Sequence, residues 1–198
     1  MAVLAIDMDG TIVNFASESF RRAEELYGIK MTKKDAYKPK TAELLWERMT
    51  NEQKSKFTDH REIYEEICGD GFFECLEPFP KAIEAIKELY AEGHEIIFLT
   101  KVLNWNRSAK EKAVWLKKYF SDIKYTTMMV DSIKAKHLVN ADYIIDDDIR
   151  VLQGAIAKPI CIAQPWNEDY RKGLPILVAK EFIYAAEMIK KFEEQLGK

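Results

Sequence analysis

The beginning of the chain places two carboxylates directly after a short apolar run. Ala2–Ile6 is apolar, Asp7 and Asp9 follow with one residue between them, and Gly10 comes next. This pattern is typical of a buried parallel strand that leads into a tight loop. Because unpaired carboxylates are costly to bury, two of them at one point favour a bound divalent cation. Asp-x-Asp-Gly also occurs in surface turns, so the pair alone leaves that alternative open.

The length, charge and cysteine content of the chain limit the number of domains, the partners and the location that we expect for it. The chain has 198 residues, which suits one domain or one domain with a sizeable insertion. Thirty basic and 33 acidic residues give a net charge of −3, so we expect no stable nucleic-acid partner. No apolar run approaches the ~20 residues that cross a bilayer, so we expect no membrane partner. The odd number of cysteines, three, favours reduced thiols and a cytoplasmic location.

Residues 15–76 are predicted to be helical, with no clear strand among them. The predicted helices are Glu18–Tyr27, Ala42–Met49 and Glu52–Ile67. Asn51 is the predicted N-cap of the third helix, and Gly28 ends the first. We therefore expect a core domain formed by residues 1–14 and 77–198, with residues 15–76 inserted after the first strand as a small helical cap.

After Pro80 strands and helices alternate. The predicted strands are Glu95–Leu99, Tyr125–Val130, Tyr143–Ile145 and Ile160–Ala163. The predicted helices are Ala82–Ala91, Ser108–Tyr119, Ser132–Val139, Val151–Ala157 and Glu181–Gln195. Together with the first strand, this rhythm predicts an α/β fold, a mostly parallel Rossmann-like sheet with helices on both faces.

Polar side chains stand where three of these strands end. Asp7 and Asp9 follow the first strand, Thr100 ends the second, and Asp146–Asp148 ends the fourth. Lys136 lies on the helix before that fourth strand and supplies a cation. In an open α/β sheet ligands bind at the carboxyl ends of the strands, so these groups are expected to converge.

This set resembles the haloacid dehalogenase superfamily of phosphohydrolases. Its first motif corresponds to Asp7-Met8-Asp9-Gly10-Thr11, and its second to the apolar strand that ends in Thr100. Its third-motif lysine corresponds to Lys136, and its fourth motif to Tyr143-Ile144-Ile145-Asp146-Asp147. All four motifs occur in the required order and span most of the chain.

The 5′(3′)-deoxyribonucleotidase family is a closer resemblance. It rests on Phe15 after the first motif, on Gly71-Phe72-Phe73, and on Leu76-Glu77-Pro78-Phe79-Pro80. The ten-residue interval from Lys136 to Asp146 also fits, and that family has a small helical cap after the first motif. The second motif departs from the animal members, which have Thr-Ser where this chain has Thr100-Lys101.

The resemblance implies a role for each acidic residue. Asp7 is the expected nucleophile, which forms an aspartyl-phosphate, and Asp9 the expected proton donor and later base. Mg²⁺ is the implied cofactor, because it removes the repulsion between a carboxylate and a phosphate dianion. The expected metal site comprises Asp7, Asp9 through its backbone carbonyl, and Asp147, with Asp146 beside it.

The remaining implied roles concern the substrate. Thr100 and Lys136 are expected to hold phosphate oxygens, and Lys112 is a further candidate phosphate contact. The candidates for an aromatic wall against a base or sugar are Phe15, Phe72 and Phe73. Core packing is the alternative for Phe72 and Phe73, and packing is the simplest interpretation of Trp166.

The expected function is a Mg²⁺-dependent phosphomonoesterase acting on nucleoside monophosphates, with deoxyribonucleotides as the favoured substrates. One alternative keeps the catalyst and changes the substrate to another small phosphometabolite or a nucleic-acid terminal phosphate. A second alternative is a non-catalytic Mg²⁺-binding phospho-acceptor module. A homodimer is compatible with the sequence, which does not determine the oligomeric state.

Overall fold

Six parallel strands form one sheet. The structure, a computed structural model, describes residues 1–32, 35 and 41–197. The strands are β1 (Val3–Ile6), β2 (Glu95–Lys101), β3 (Thr126–Val130), β4 (Tyr143–Asp146), β5 (Lys158–Ile162) and β6 (Leu177–Ala179). Their order across the sheet is β3-β2-β1-β4-β5-β6. The parallel α/β sheet expected from the sequence is therefore confirmed, although its sixth strand was missed because three residues carry too little pattern.

In the described residues, helices pack against the sheet, and all but Glu168–Arg171 overlap helices predicted from the sequence. The helices are α1 (Phe15–Tyr27), α2 (Thr41–Arg48), α3 (Asn51–Lys54), α4 (His60–Ile67), α5 (Ala82–Ala91), α6 (Ser108–Phe120), α7 (Ile133–Lys136), α8 (Ile149–Gly154), α9 (Glu168–Arg171) and α10 (Phe182–Gln195). None of those in the described ranges has both the length and the apolar character needed to span a bilayer.

The prediction of one helix over Glu52–Ile67 was wrong, because the chain begins two separate helices there. The Thr50 hydroxyl accepts the backbone N–H of Gln53, whose side chain accepts the N–H of Thr50, so Thr50 rather than Asn51 caps α3. The Asp59 carboxylate then accepts the N–H of Arg61 and caps α4. Each cap accepts a backbone N–H group of the kind that lacks a partner only in the first turn of a helix, so α3 and α4 are two separate helices.

Alternating residues of the central strands point to opposite faces of the sheet and enter two separate apolar cores. Leu4 and Ile6 of β1 belong to the same apolar core as Trp115 of α6 and Ile189 of α10. Ala5, between them in sequence, belongs to the other core, which includes Leu152 of α8. The period of two in a strand therefore explains how helices cover both faces.

The four helices α1–α4 lie between β1 and α5 in sequence. Their buried side chains, among them Ala23, Leu45 and Ile63, belong to the same apolar cluster as Leu4 of the sheet. We propose that residues 15–76 form a cap packed on one side of the sheet domain. This continuous apolar contact supports the proposal, while the two boundaries stay predictions.

Candidate active site

Three buried carboxylates meet at the carboxyl ends of two neighbouring strands. Asp7 follows β1, and its backbone N–H donates to the carbonyl of Ile145 in β4 at 2.9 Å. Asp146 ends β4, and Asp147 comes next. Because β1 and β4 are adjacent and parallel, oxygens of Asp7, Asp146 and Asp147 all lie within 4.8 Å of one another.

Lys136 is buried against two of these carboxylates. Its Nζ donates to Asp7 Oδ1 at 2.6 Å and to Asp146 Oδ2 at 2.8 Å. Burial by itself lowers the pKa of Lys136, but the two carboxylates outweigh it and raise that pKa above its usual range. Lys136 therefore stays charged and neutralises part of the acidic cluster.

One ammonium does not compensate three carboxylates. Burial raises the pKa of Asp146 to about 7, although Lys136 opposes the change. Burial also raises the pKa of Asp147 well above its usual range, and the charges of Asp146 and Asp7 add to the effect. The cluster therefore carries more negative than positive charge, and a bound cation would neutralise the excess.

The donor set fits a hard divalent cation such as Mg²⁺. Such ions prefer carboxylate and carbonyl oxygens, and Asp7, Asp146 and Asp147 offer carboxylate oxygens at one point. Neither sulfur nor imidazole is part of this cluster. Asp7 and Asp147 are the candidate direct ligands. Asp7 accepts from Lys136 through Oδ1 and Asp147 accepts from Trp166 through Oδ2, whereas both carboxylate oxygens of Asp146 accept hydrogen bonds, from Lys136 and from the Asp148 N–H.

Asp9 lies beside the cluster and is held by a second buried lysine. Lys112 Nζ donates to Asp9 Oδ2 at 2.5 Å, to Thr100 Oγ1 at 2.8 Å and to the Lys101 carbonyl at 2.8 Å. The other carboxylate oxygen, Asp9 Oδ1, is buried without a hydrogen-bond partner. Burial raises the pKa of Asp9 although Lys112 opposes it.

A cavity of about 570 Å³ opens onto the acidic cluster. Its lining includes all four acidic residues of the expected site and Lys136. The other lining residues are Lys101, Asp148, Ile149, Arg150, Gln153, Trp166, Asn167 and Tyr170. The expected phosphate contacts Thr100 and Lys112 are fully buried behind Asp9 and are not part of this lining as described.

The three expected substrate-contacting aromatic rings pack on one another. The ring centroids of Phe15 and Phe72 are 5.2 Å apart, and those of Phe72 and Phe73 are 5.0 Å apart. Phe72 and Phe73 are buried completely, so both rings lie in the core, which agrees with the packing alternative left open by the sequence. Direct substrate contact by these two rings stays a prediction, and it requires them to become exposed.

Helix α6 connects Lys112 with the glycine-containing segment that carries these rings. Glu111, the residue before Lys112, accepts the backbone N–H of Gly71 at 2.9 Å and that of Phe73 at 3.0 Å, one on each carboxylate oxygen. Glu111 is itself buried. Two adjacent residues of one helix therefore position the 71–73 segment and Asp9.

Replacement of Glu111 by Gln should destabilise the protein by about 1–3 kcal/mol, because an amide has only one acceptor oxygen and would leave a buried backbone N–H unsatisfied. Urea unfolding of the two proteins measures the difference in free energy. Glu187→Gln, at an exposed position of α10, is the matched control and should change stability by less than about 0.5 kcal/mol. Equal effects of the two substitutions would contradict the assigned role of Glu111.

The segment after β5 contributes contacts that sequence reasoning missed. Trp166 Nε1 donates to Asp147 Oδ2 at 2.5 Å, and Asn167 Nδ2 donates to the Asp147 carbonyl at 2.8 Å. Gln164 Nε2 donates to the Gly10 carbonyl at 2.6 Å. Only their position in the sequence could have indicated a role for these residues, since they follow the carboxyl end of β5, the strand adjacent to β4.

Comparison with known proteins agrees with this geometry. Residues 1–190 match the family described as 5′ nucleotidase, deoxy (pyrimidine), cytosolic type C protein. A Bacillus cereus protein provisionally named a nucleotidase is 27% identical over 195 residues, covering 93% of this chain and 96% of that protein. A Staphylococcus aureus protein provisionally named a 5′(3′)-deoxyribonucleotidase is 30% identical over 120 residues, or 59% of this chain and 65% of that protein.

Solved structures share the fold at low sequence identity. The magnesium-bound structure of a hydrolase of haloacid dehalogenase type from Bacillus subtilis has a TM-score of 0.60 and 15% identity, covering 94% of this chain and 97% of that one. The family match extends over nearly the whole chain, and it includes all four motifs. The chain is therefore an enzyme of the haloacid dehalogenase superfamily and belongs to its 5′ nucleotidase, deoxy (pyrimidine), cytosolic type C family.

Proposed function

We propose that the protein is a Mg²⁺-dependent phosphomonoesterase that hydrolyses nucleoside monophosphates, with deoxyribonucleotides preferred. The observation that carries this proposal is the convergence of oxygens of Asp7, Asp146 and Asp147 within 4.8 Å, where these residues and Lys136 line a cavity. The family match and the provisional name of the Staphylococcus aureus relative support the choice of substrate. A cytoplasmic location stays a prediction.

In the proposed first step, a carboxylate oxygen of Asp7 attacks phosphorus while the bond from phosphorus to the ester oxygen breaks. Asp9 gives its proton to the departing oxygen, which leaves as the alcohol. The unpartnered Oδ1 and the raised pKa of Asp9 support a carboxyl group that starts this step protonated. Asp7 is left as an aspartyl-phosphate.

In the second step, Asp9 takes a proton from water, and the water oxygen attacks phosphorus. The acyl-phosphate bond breaks, which releases inorganic phosphate and restores Asp7. Lys136 holds Asp7 in place and offsets negative charge, and Lys112 keeps Asp9 oriented through its Oδ2. A bound Mg²⁺ would supply charge neutralisation between phosphate and the Asp7 and Asp147 carboxylates.

A panel of phosphomonoesters tests the substrate class. Purified protein with Mg²⁺ should release phosphate from deoxyribonucleoside monophosphates with a higher kcat/KM than from sugar phosphates or a phosphorylated oligonucleotide. Chelation by EDTA should abolish turnover, and added Mg²⁺ should restore it. Higher kcat/KM for sugar phosphates than for every nucleotide would overturn the substrate assignment while leaving the phosphatase assignment intact.

Replacement of Asp9 by Asn should lower kcat by about 10²–10⁴-fold, because an amide neither donates the proton nor activates water at this position. The fold should persist, since Asn keeps an oxygen that can accept from Lys112. Phosphate release and the thermal midpoint are the two measurements, with exposed Asp169→Asn as control.

The Asp9→Asn variant also tests the alternative of a non-catalytic phospho-acceptor. A module of that class would show no turnover before the substitution and would accept phosphate from a small phosphodonor equally well after it. A variant that keeps more than a tenth of the original kcat would remove Asp9 from the acid–base role.

A further inference from the structure

A four-residue segment after β5 contacts both loops that carry the acidic cluster. The segment is Gln164-Pro165-Trp166-Asn167. Its three polar side chains donate to Gly10 in the loop after β1 and to the Asp147 carboxylate and carbonyl in the loop after β4. A segment that is bonded to two separate loops fixes their distance from each other.

Trp166 contacts the one member of the cluster that Lys136 does not bond. Lys136 donates to Asp7 and Asp146, whereas the side-chain donor on Asp147 is the indole N–H of Trp166 at 2.5 Å. The indole is neutral, so it orients the carboxylate without neutralising its charge. A hydrogen bond from outside the ligand set is a common way to hold a metal-binding carboxylate in position.

Gly10 leaves the space in which this contact forms. A Cβ atom at Gly10 would lie 2.7 Å from Asp147 Oδ2 and 2.9 Å from Cζ2 of Trp166. A Cβ atom does not tolerate contacts this short with oxygen or carbon unless one of the groups moves. The indole, the carboxylate and the glycine backbone are therefore closely packed. This packing restricts rotation of the Asp147 carboxylate.

We propose that Trp166 is a positioning residue, which fixes the Asp147 carboxylate so that it can bind a divalent cation. The proposal rests on the metal site of the proposed function. Trp166 acts through its indole N–H rather than through its bulk, and Gln164 and Asn167 hold the segment that presents it. Removal of the donor therefore weakens cation binding more than it weakens the fold.

Two substitutions separate the donor from the bulk of the side chain. Trp166→Phe keeps a six-membered aromatic ring and removes the N–H. Trp166→His keeps a ring nitrogen, Nε2, at the position that Nε1 holds in indole, although its side chain is smaller than Phe. At pH 8 the imidazole is neutral and remains a donor. Trp105→Phe, at a position where the side chain is more than half exposed, controls for the loss of a tryptophan.

Calorimetric titration of the metal-free proteins with Mg²⁺ gives the dissociation constants. We expect Trp166→Phe to raise the Mg²⁺ dissociation constant by about 10–100-fold, Trp105→Phe to change it by less than twofold, and Trp166→His to lie closer to the original protein than Trp166→Phe does. The proposal would be overturned if the Mg²⁺ dissociation constant of Trp166→Phe lay within twofold of that of the original protein. It would also be overturned if the constant of Trp166→His were at least as large as that of Trp166→Phe.

Nuclear magnetic resonance of the unsubstituted protein provides a test that needs no variant to fold. The indole proton of Trp166 should exchange with solvent much more slowly than that of exposed Trp105, and equal rates would overturn the proposal. Failure of the unsubstituted protein to bind Mg²⁺ would contradict the metal site itself. Normal Mg²⁺ binding with no effect of the Trp166 substitutions would contradict the role of Trp166 alone.

Discussion

Asp7→Asn is expected to lower kcat by roughly 10⁴-fold or more, the largest effect of any single substitution on activity, because an amide cannot form the aspartyl-phosphate. The loss should appear in kcat at saturating nucleotide and Mg²⁺. Acid-quenched reactions with labelled substrate should trap phosphate on the original protein and none on the variant. A variant that keeps even a tenth of the activity would exclude Asp7 as the nucleophile.

The same substitution should leave the free energy of unfolding nearly unchanged. Asn has almost the same volume as Asp, and its oxygen can still accept the hydrogen bond from Lys136. The change also removes one negative charge from a cluster of three carboxylates, which relieves repulsion. Asp169→Asn, at an exposed position of α9, is the matched control for activity and for the thermal midpoint.

Lys136→Met is expected to have the largest effect on stability, a loss of about 3–5 kcal/mol. Methionine keeps a flexible stem of similar length, but it leaves Asp7 and Asp146 without the buried ammonium that now donates to both. Urea unfolding at pH 7 measures the loss. Lys134→Met, at an exposed position two residues earlier on the same helix, is the control and should change stability little.

The loss caused by Lys136→Met should increase with pH. The folded-state pKa of Asp146 is already raised to about 7, so the folded state binds more protons than the unfolded state above pH 4. Stability of the metal-free protein therefore falls as the pH rises towards 7. Removal of Lys136 raises the pKa values of Asp146 and Asp147 further, so the stability continues to fall above pH 7. A loss that is the same at pH 5 and pH 8 would contradict this account.

The strand ends were predictable because local pattern and sheet geometry together determine them. An apolar run followed by Asp7, and another followed by Asp146, require only a parallel sheet to bring the two carboxylates to one edge. Asp148 follows the same strand, and its carboxylate caps α8 by accepting the N–H of Arg150, a local role that aspartate commonly takes at a helix start. These features depend on neighbours in sequence and on the order of strands.

The arrangement around Asp9 was not predictable in the same way. Lys112 and Asp9 are 103 positions apart in the sequence, yet Lys112 Nζ donates a hydrogen bond to Asp9 and another to Thr100. Thr100 was expected to hold phosphate directly, whereas in the structure its hydroxyl oxygen accepts from Lys112 and is buried. Periodicity places Lys112 on a helix, but only the packing of α6 against the sheet determines where its ammonium lies.

The amino-acid sequence alone determined the parallel sheet, the order of its polar strand ends and the identity of the acidic residues, since these follow from apolar runs and their spacing. Tertiary structure decided the partners of those residues. Trp166 bonds Asp147, and Glu111 bonds the 71–73 segment, although these partners lie far apart in the sequence. The burial of Phe72 likewise depends on residues that are distant in the sequence. Such contacts depend on how helices and loops pack, which no local pattern encodes.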